Sequence, residues 1–267
     1  MHGIVKKTYG IAIIIGASSG IGENIAYCLA EESTSESISE IWLIARRGEK
    51  LSDVAETVNK KAGREISKVF CADVTSKTFC DWLSENLSAS GKSVSWFVNS
   101  AGNGFAGEFQ NVEVEKNYGC IELNCGATVR VTGCILPYLK EGGRIIQLAS
   151  GAAFFPQPKF AVYAASKAFV FNFSRALGEE LKPRGISVTA VCPGPCDTEF
   201  LFLANQEGEI PKYKRKFMIT PVQVAKKAVN SAKKRKKICI PSFSMKLLYV
   251  ARKLIPDQWI IFFQNKL

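Results

Sequence analysis

Five apolar residues, Ile11 to Ile15 (IAIII), run without a break into GASSGIG, and no other feature constrains the fold of this chain as tightly. A strand that is apolar at every position, not every second one, is expected where both faces of a parallel sheet are covered. The turn carries Gly16, Gly20 and Gly22, with Ser18, Ser19 and Ile21 between them, and the helical pattern ENIAYCLAEE follows. Strand, glycine-rich turn and helix make a cradle for a dinucleotide pyrophosphate. Glycine permits the tight turn and the close approach of backbone to phosphate, and the helix N-terminus presents free amides and the positive end of its dipole. The spacing is G-x-x-x-G-x-G and not the commoner G-x-G-x-x-G. By itself it is also compatible with an ordinary βα turn whose glycines serve backbone geometry alone.

The rest of the chain repeats the alternation. Strands are predicted near 11–15, 40–45, 68–72, 94–98, 143–149, 186–191 and 237–240, with helical patterns between them. Such alternation argues an α/β fold with a parallel sheet covered on both faces and right-handed crossovers. At 267 residues the chain is long enough for one large domain with a substantial core. The segment 33–40 (STSESISE) reads as a surface loop between the first helix and the second strand.

A second constellation lies in SGAAFFPQPKFAVYAASK: Ser150, Tyr163 and Lys167. Tyr163 and Lys167 are four apart in a helical stretch, which puts both side chains on one face. A phenol titrates near ~10, and a lysine cation beside it favours the phenolate and lowers that value. Such a phenol passes a proton to or from a carbonyl or alcohol, and Ser150, just after an apolar run, can hydrogen-bond the same oxygen. The plain alternative is a helix with one buried tyrosine and one solvated lysine.

Together the two features resemble the short-chain dehydrogenase/reductase family, and further motifs of that family follow in order. Asp73-Val74 closes the third predicted strand, where the family places an acid near the adenine. Asn99-Ser100-Ala101-Gly102 follows the fourth and looks like the family's NNAG motif with serine replacing the second asparagine. Asn124 lies in a helix at the place of the family's fourth catalytic residue. Ser150 precedes Tyr163 by the family's thirteen positions, and Pro193-Gly194 with Thr198 matches its PGxxxT element. The resemblance spans roughly residues 10 to 200.

It implies a single-domain Rossmann fold, a doubly wound seven-stranded parallel sheet in the order 3-2-1-4-5-6-7. It implies cofactor contacts at the glycine turn, Asp73, Val74, Asn99, Ala101, Gly102, Tyr163, Lys167, Pro193, Gly194 and Thr198. It also implies the catalytic roles. Tyr163 transfers the proton, Lys167 lowers the phenol pKa and hydrogen-bonds the nicotinamide ribose, Ser150 orients and polarises the substrate oxygen, and Asn124 holds a water linking Lys167 to solvent.

The end of the second strand bears on which cofactor. An acid there would bind the ribose 2′-hydroxyl of NAD, whereas arginine pairs with the 2′-phosphate of NADP. The sequence reads IWLIARRGEK, with Arg46 and Arg47 and no acid at that point. Guanidinium is always charged and binds phosphate through two aligned hydrogen bonds. NADP(H) is therefore expected, with Arg46 as the main contact and Arg47 second. The expected function is reversible reduction of a carbonyl to a secondary alcohol. A non-catalytic NADP sensor or scaffold, and a sugar-nucleotide epimerase or dehydratase, are the alternatives. Phe154, Phe155, Pro156, Pro158 and Phe160, with the apolar run 198–203, suggest an apolar or acyl-type substrate; the same aromatics equally suit plain core or interface packing.

Charge divides the chain. Residues 210–267 hold fifteen Lys/Arg and one acid, whereas residues 1–209 hold twenty Lys/Arg and twenty-three acids. The densest run, KKRKK (233–237), ends a predicted helix that starts near Thr220-Pro221. After ICIP the sequence SFSMKLLYVARKLIPDQWIIFFQNKL mixes apolar and basic residues, and Pro256 is expected to break it into two short helices. A catalytic domain over 1–241 and a basic, amphipathic helical extension over 242–267 packed on it are expected. The extension is similar to those of poorly characterised bacterial short-chain dehydrogenases and distantly to those of 3-ketoacyl-CoA reductases. Such a helix can fold over the substrate pocket, form an interface or lie on an anionic membrane surface. No nucleic-acid partner is expected, because the lysine run lacks interleaved aromatics for stacking.

Nine cysteines without framework spacing fit a reducing cytoplasm, and no secretory signal or spanning segment is read. His2 is the sole histidine, so neither a His-based metal site nor a Ser-His-Asp triad is available in the core; Cys192 and Cys196, four apart, are the remaining metal alternative, and no metal is expected. A homodimer or homotetramer acting on a small carbonyl or alcohol is anticipated.

Overall fold

The computed structural model describes residues 9–204, 215, 217–252 and 258–259. Strands β1 (Gly10–Ile15), β2 (Ile38–Ala45), β3 (Ser67–Cys71), β4 (Val94–Asn99), β5 (Leu139–Leu148), β6 (Ser187–Val191) and β7 (Ile238–Cys239) form one sheet in the order β3-β2-β1-β4-β5-β6-β7. Every adjacent pair is parallel. This is the Rossmann arrangement and strand order that the family resemblance implies.

β1 is central, and its alternation serves two cores. Ala12 and Ile14 join α1 (Gly20–Glu31), α2 (Gly48–Ala62) and α8 (Pro221–Lys233) on one face, through Ile25, Leu29, Val54, Val58, Val224 and Ala228. Ile11, Ile13 and Ile15 join α3 (Phe79–Ser90), α5 (Thr128–Ile135) and the end of α6 (Ala161–Glu180) on the other, through Leu83, Val131, Ile135 and Leu177. A strand enclosed on both sides has no solvent face, which is why its sequence is apolar throughout. Each of its fully buried isoleucines stabilises the fold by about 1.5–3 kcal/mol relative to an exposed one.

The order in which strands are added reverses between β1 and β4, so the connections leaving their carboxyl ends diverge and open a crevice. The glycine turn after β1 and the segment 99–104 after β4 border it. A second device positions the site: α4 (Val114–Ile121) passes into a π-helical turn (Glu122–Ala127) before α5, and Asn124 sits in that turn. Such turns inside helices are frequent at functional sites.

Three boundaries differ from expectation. β2 starts at Ile38, inside the segment read as loop, because Ile38 is buried and pairs with Gly10. β5 starts at Leu139, and β7 is only two residues long. The start of α8 is as read: Thr220 Oγ1 accepts from Gln223 N at 3.2 Å, Gln223 Oε1 accepts from Thr220 N at 3.4 Å, and Pro221 opens the helix.

Much of the basic run after α8 is tied to the body. Lys233 Nζ donates to Glu32 Oε2 at 2.6 Å, Arg235 Nη1 donates to Gly185 O at 2.7 Å, and Lys237 pairs with Glu179. Helix α9 (Phe243–Ala251) then lays Leu248 and Tyr249 against Phe154 and Phe171. The Phe154 and Tyr249 rings are 4.9 Å apart, and the Arg252 guanidinium lies 5.7 Å from each. Pro256 lies outside the described residues. Among the described residues no helix is long and apolar enough to cross a membrane.

Candidate active site

At Gly16 and Gly22 the turn after β1 has no room for a side chain. A Cβ on Gly16 (φ 77°) would stand 2.6 Å from Ala101 N, and one on Gly22 would stand 2.3 Å from Gly16 O. Gly20 (φ 61°) faces the Thr198 methyl group, 3.2 Å from where its Cβ would be. Backbone from β1, α1, the post-β4 segment and the post-β6 segment therefore converges at one place. Ser19 is the N-cap residue of α1, but its hydroxyl accepts from Arg47 and does not cap the helix. Ile21 packs partly against the core of the α1 face.

Arg47, more than Arg46, addresses this turn. Arg47 Nη2 donates to Ser19 Oγ at 2.7 Å and to Ser18 Oγ at 3.2 Å, and Nε donates to Ser18 Oγ at 3.3 Å. Arg46 is exposed at the strand end, near enough to Asp73 to act on its charge. Burial pushes the Asp73 carboxyl up, but two hydrogen bonds from Thr75 (2.9 and 2.7 Å) and the Arg46 cation outweigh it and hold the group below its usual value. Val74 is buried beneath, in the core of the α3 face.

On the opposite wall, Asn99 Nδ2 donates to Thr128 Oγ1 at 2.9 Å. A Cβ on Gly102 would lie 3.0 Å from both Asn124 Oδ1 and Lys167 Nζ, so this glycine lets the post-β4 backbone pass between them. Asn124 is fully buried with both ends of its amide engaged. Oδ1 accepts from Asn103 N at 3.1 Å, and Nδ2 reaches Asn103 O and Ser166 Oγ, both at 2.9 Å. Pro193 O accepts from Gly151 N at 2.8 Å, which ties the post-β6 segment to the residue after Ser150. Gly194 lies against Met245 of α9.

Ser150, Tyr163 and Lys167 meet at the mouth of the crevice. Lys167 is buried, its Nζ donating to Leu148 O at 2.9 Å, 5.8 Å from the centre of the Tyr163 ring. Burial lowers its pKa to about 8. Burial raises the Tyr163 phenol to about 12, and a hydrogen bond with Ser150 acts in the opposite direction. In this geometry burial is the largest influence on the phenol, and the Lys167 ammonium donates to a backbone carbonyl. A phenol so placed keeps its proton at neutral pH. The Phe160 ring stacks on it at 4.3 Å, and the Phe200 ring lies at 5.3 Å.

Several participants escaped the sequence reading. A Cβ on Gly104 would stand 2.4 Å from Tyr163 Cδ2; an extra glycine after the NSAG motif was its only trace. Asn103 and Ser166 bind Asn124, and Glu199, at the start of α7 (Glu199–Ala204), pairs with Arg47. Of the aromatics read as substrate contacts, Phe154 and Phe155 belong to the core under α9, whereas Phe160 reaches Tyr163.

Comparisons with known proteins agree with this geometry. The family model for short chain dehydrogenases matches residues 10–208. An uncharacterised oxidoreductase of Staphylococcus epidermidis is 35% identical over 197 residues, 73% of this chain and 81% of the relative. A very-long-chain 3-oxoacyl-CoA reductase of Phaeosphaeria nodorum is 34% identical over 185 residues, 67% of this chain and 53% of the relative. A short-chain dehydrogenase from Sphingobium yanoikuyae, solved in complex with NADPH, superposes with a TM-score of 0.77 at 26% identity, covering 91% of this chain and 94% of that one. The chain belongs to the short-chain dehydrogenase family and is an oxidoreductase of that class.

Proposed function

We propose that the protein reduces the carbonyl of an apolar or acyl-type substrate to a secondary alcohol, reversibly, with NADP(H). The observation that carries this reading is a neutral Tyr163 phenol beside Ser150, over buried Lys167, at the edge of a crevice whose glycines leave room only for backbone and ligand. Bound there, the nicotinamide supplies or accepts the hydride. Tyr163 gives its proton to the carbonyl oxygen during reduction and takes one from the alcohol in reverse. Ser150 donates to the same oxygen. The Lys167 cation steadies the phenolate that proton donation leaves behind. Asn124 acts by holding Asn103 and Ser166 in place around Lys167.

The glycine turn, with Thr198 and Pro193-Gly194 beside it, receives the pyrophosphate and nicotinamide ends. Asp73-Val74 borders the adenine. Arg47, supported by Ser18, Ser19 and Arg46, takes the 2′-phosphate, as the NADPH bound by the S. yanoikuyae relative supports. A cavity of about 90 Å³ near the start of α6, lined by Phe105, Phe109, Val112 and Val162 with Asn117 and Lys159, suits a short apolar group. The reductase relative in P. nodorum supports an acyl-type carbonyl. A panel of apolar ketones, 3-oxoacyl thioesters and sugar nucleotides with NADPH, followed by NADPH consumption, tests the proposal. Turnover of ketones or 3-oxoacyl thioesters is expected; turnover of sugar nucleotides alone contradicts it.

We also place the protein in the reducing cytoplasm, as a homo-oligomer. Val114, Tyr118, Val129 and Phe169 are exposed on α4, α5 and α6 and suit a contact between copies. Of the expected extension, α9 packs on the catalytic domain through Leu248 and Tyr249, and the outer face of α9 suits an anionic membrane surface. Phe243, Leu247 and Val250 are exposed there, and Lys227, Lys236 and Lys246 lie close enough together to act on the Cys239 thiol.

A further inference from the structure

Glu199 holds the Arg47 guanidinium at the place where a phosphate would. Arg47 Nη1 donates to Glu199 Oε1 at 2.8 Å and Oε2 at 2.7 Å, and Lys50 Nζ stands 3.4 Å from each oxygen. The Nε and Nη2 edge of the same guanidinium goes to Ser18 and Ser19. A guanidinium has five N–H donors, and here Nη1 reaches two carboxylate oxygens while Nη2 and Nε reach two hydroxyls. A phosphate arriving at Arg47 must take donors from Glu199 or from the serines. A phosphomonoester carries about −1.5 to −2 charges and three acceptor oxygens, so it prevails over a single carboxylate. The pair is easily exchanged: both side chains are about 40% exposed, and exposed ion pairs are weak.

The next residue gives the exchange a consequence. Phe200 lies ring to ring with Tyr163 at 5.3 Å, on the same six-residue helix α7. Glu199 thus ties the cofactor-specificity side of the crevice to the cover over Tyr163. Resting on the NADP(H) reading above, we propose that Glu199 is a specificity-determining residue that competes with the 2′-phosphate for Arg47. Its displacement by the 2′-phosphate unties the start of α7, whose Leu201 and Ala204 stay buried, and loosens the neighbouring contact of Phe200 with Tyr163. NADH, without that phosphate, leaves the Glu199–Arg47 pair intact.

The test is fluorescence titration of wild type, Glu199→Gln, Arg47→Ala and the double variant with NADPH, NADH, 2′-AMP and 5′-AMP. Glu199→Gln should tighten NADPH and 2′-AMP about two- to five-fold, the weight of an exposed ion pair, and leave NADH and 5′-AMP unchanged. In the Arg47→Ala background the same change should do nothing. Hydrogen exchange at 200–204 in the wild type should rise with 2′-AMP and not with 5′-AMP. An equal shift for NADPH and NADH, an effect that persists without Arg47, or exchange that ignores 2′-AMP overturns the proposal. Wild type that binds NADH as tightly as NADPH overturns the NADP(H) reading itself. A wild-type preference for NADPH that Glu199→Gln leaves unaltered overturns the role of Glu199 alone.

Discussion

Tyr163 and Lys167 share a helix face, and their pKa values move apart: the phenol to about 12, the ammonium to about 8, both through burial. The signs set a pH profile for reduction. Lys167 is cationic below about pH 8 and neutral above it, whereas Tyr163 keeps its proton throughout. The kcat/KM for carbonyl reduction should therefore be flat at neutral pH and fall as pH rises through about 8; a rate that climbs through that range contradicts the assignment. A second residue-scale prediction concerns Gly104. A methyl group there meets the Tyr163 ring at 2.4 Å, and Phe160 and Phe200 restrict where the ring can go. Gly104→Ala should lower kcat by about 10²-fold, the cost of an ångström-scale misplacement, while NADPH affinity measured by titration stays within a few-fold. The residues legible in the sequence were those with fixed spacing, such as Tyr163 and Lys167. The sequence reading put Arg46 before Arg47; that Arg47 is the one that reaches Ser18 and Ser19 depends on which side of the strand end faces the glycine turn, which spacing does not give. Glu199 was hidden for another reason: it meets Arg47 across 152 positions of chain.

Elements were legible where burial is symmetric. β1 and β4 are enclosed on both faces, so β1 is an unbroken apolar run from Ile11 and β4 is apolar but for the buried Ser95 and Asn99, and both fall close to the expected limits. β2 was misjudged at its start because Ser39 and Glu40 look like loop residues, although Ile38 is fully buried and paired. The π-turn holding Asn124 has no composition signal at all. The extension was legible as amphipathic, but its partner was not. That partner is the Phe154–Phe171 cluster, which the sequence reading had assigned in part to substrate. Removing the Tyr249 ring from this cluster should lower stability by about 2 kcal/mol, less than for a fully buried aromatic because the side chain is half-exposed. Chemical denaturation of Tyr249→Ala checks this, and an unchanged midpoint would mean that α9 does not hold the body together.

At the scale of the whole molecule, the net positive charge lies in the sequence after residue 209. The basic run after α8 is not a free tail, because Lys233, Arg235 and Lys237 are engaged by Glu32, Gly185 and Glu179. Neutralising those three therefore tests folding as much as binding. The outer face of α9 is a cleaner probe. If it meets a membrane, Phe243→Ser with Leu247→Ser should abolish sedimentation with anionic vesicles and leave the catalytic rate unchanged; binding that survives both changes removes α9 from the account. The seven-stranded sheet brings Arg47, Tyr163 and Glu199 to one crevice from elements far apart in sequence, and the reaction proposed for that crevice rests on one proton donor. Tyr163→Phe, assayed for NADPH-dependent reduction of the best carbonyl substrate and titrated with NADPH in parallel, tests it most directly. Loss of turnover by at least about 10²-fold with NADPH affinity preserved is the predicted result. Near wild-type turnover in that variant would contradict the account.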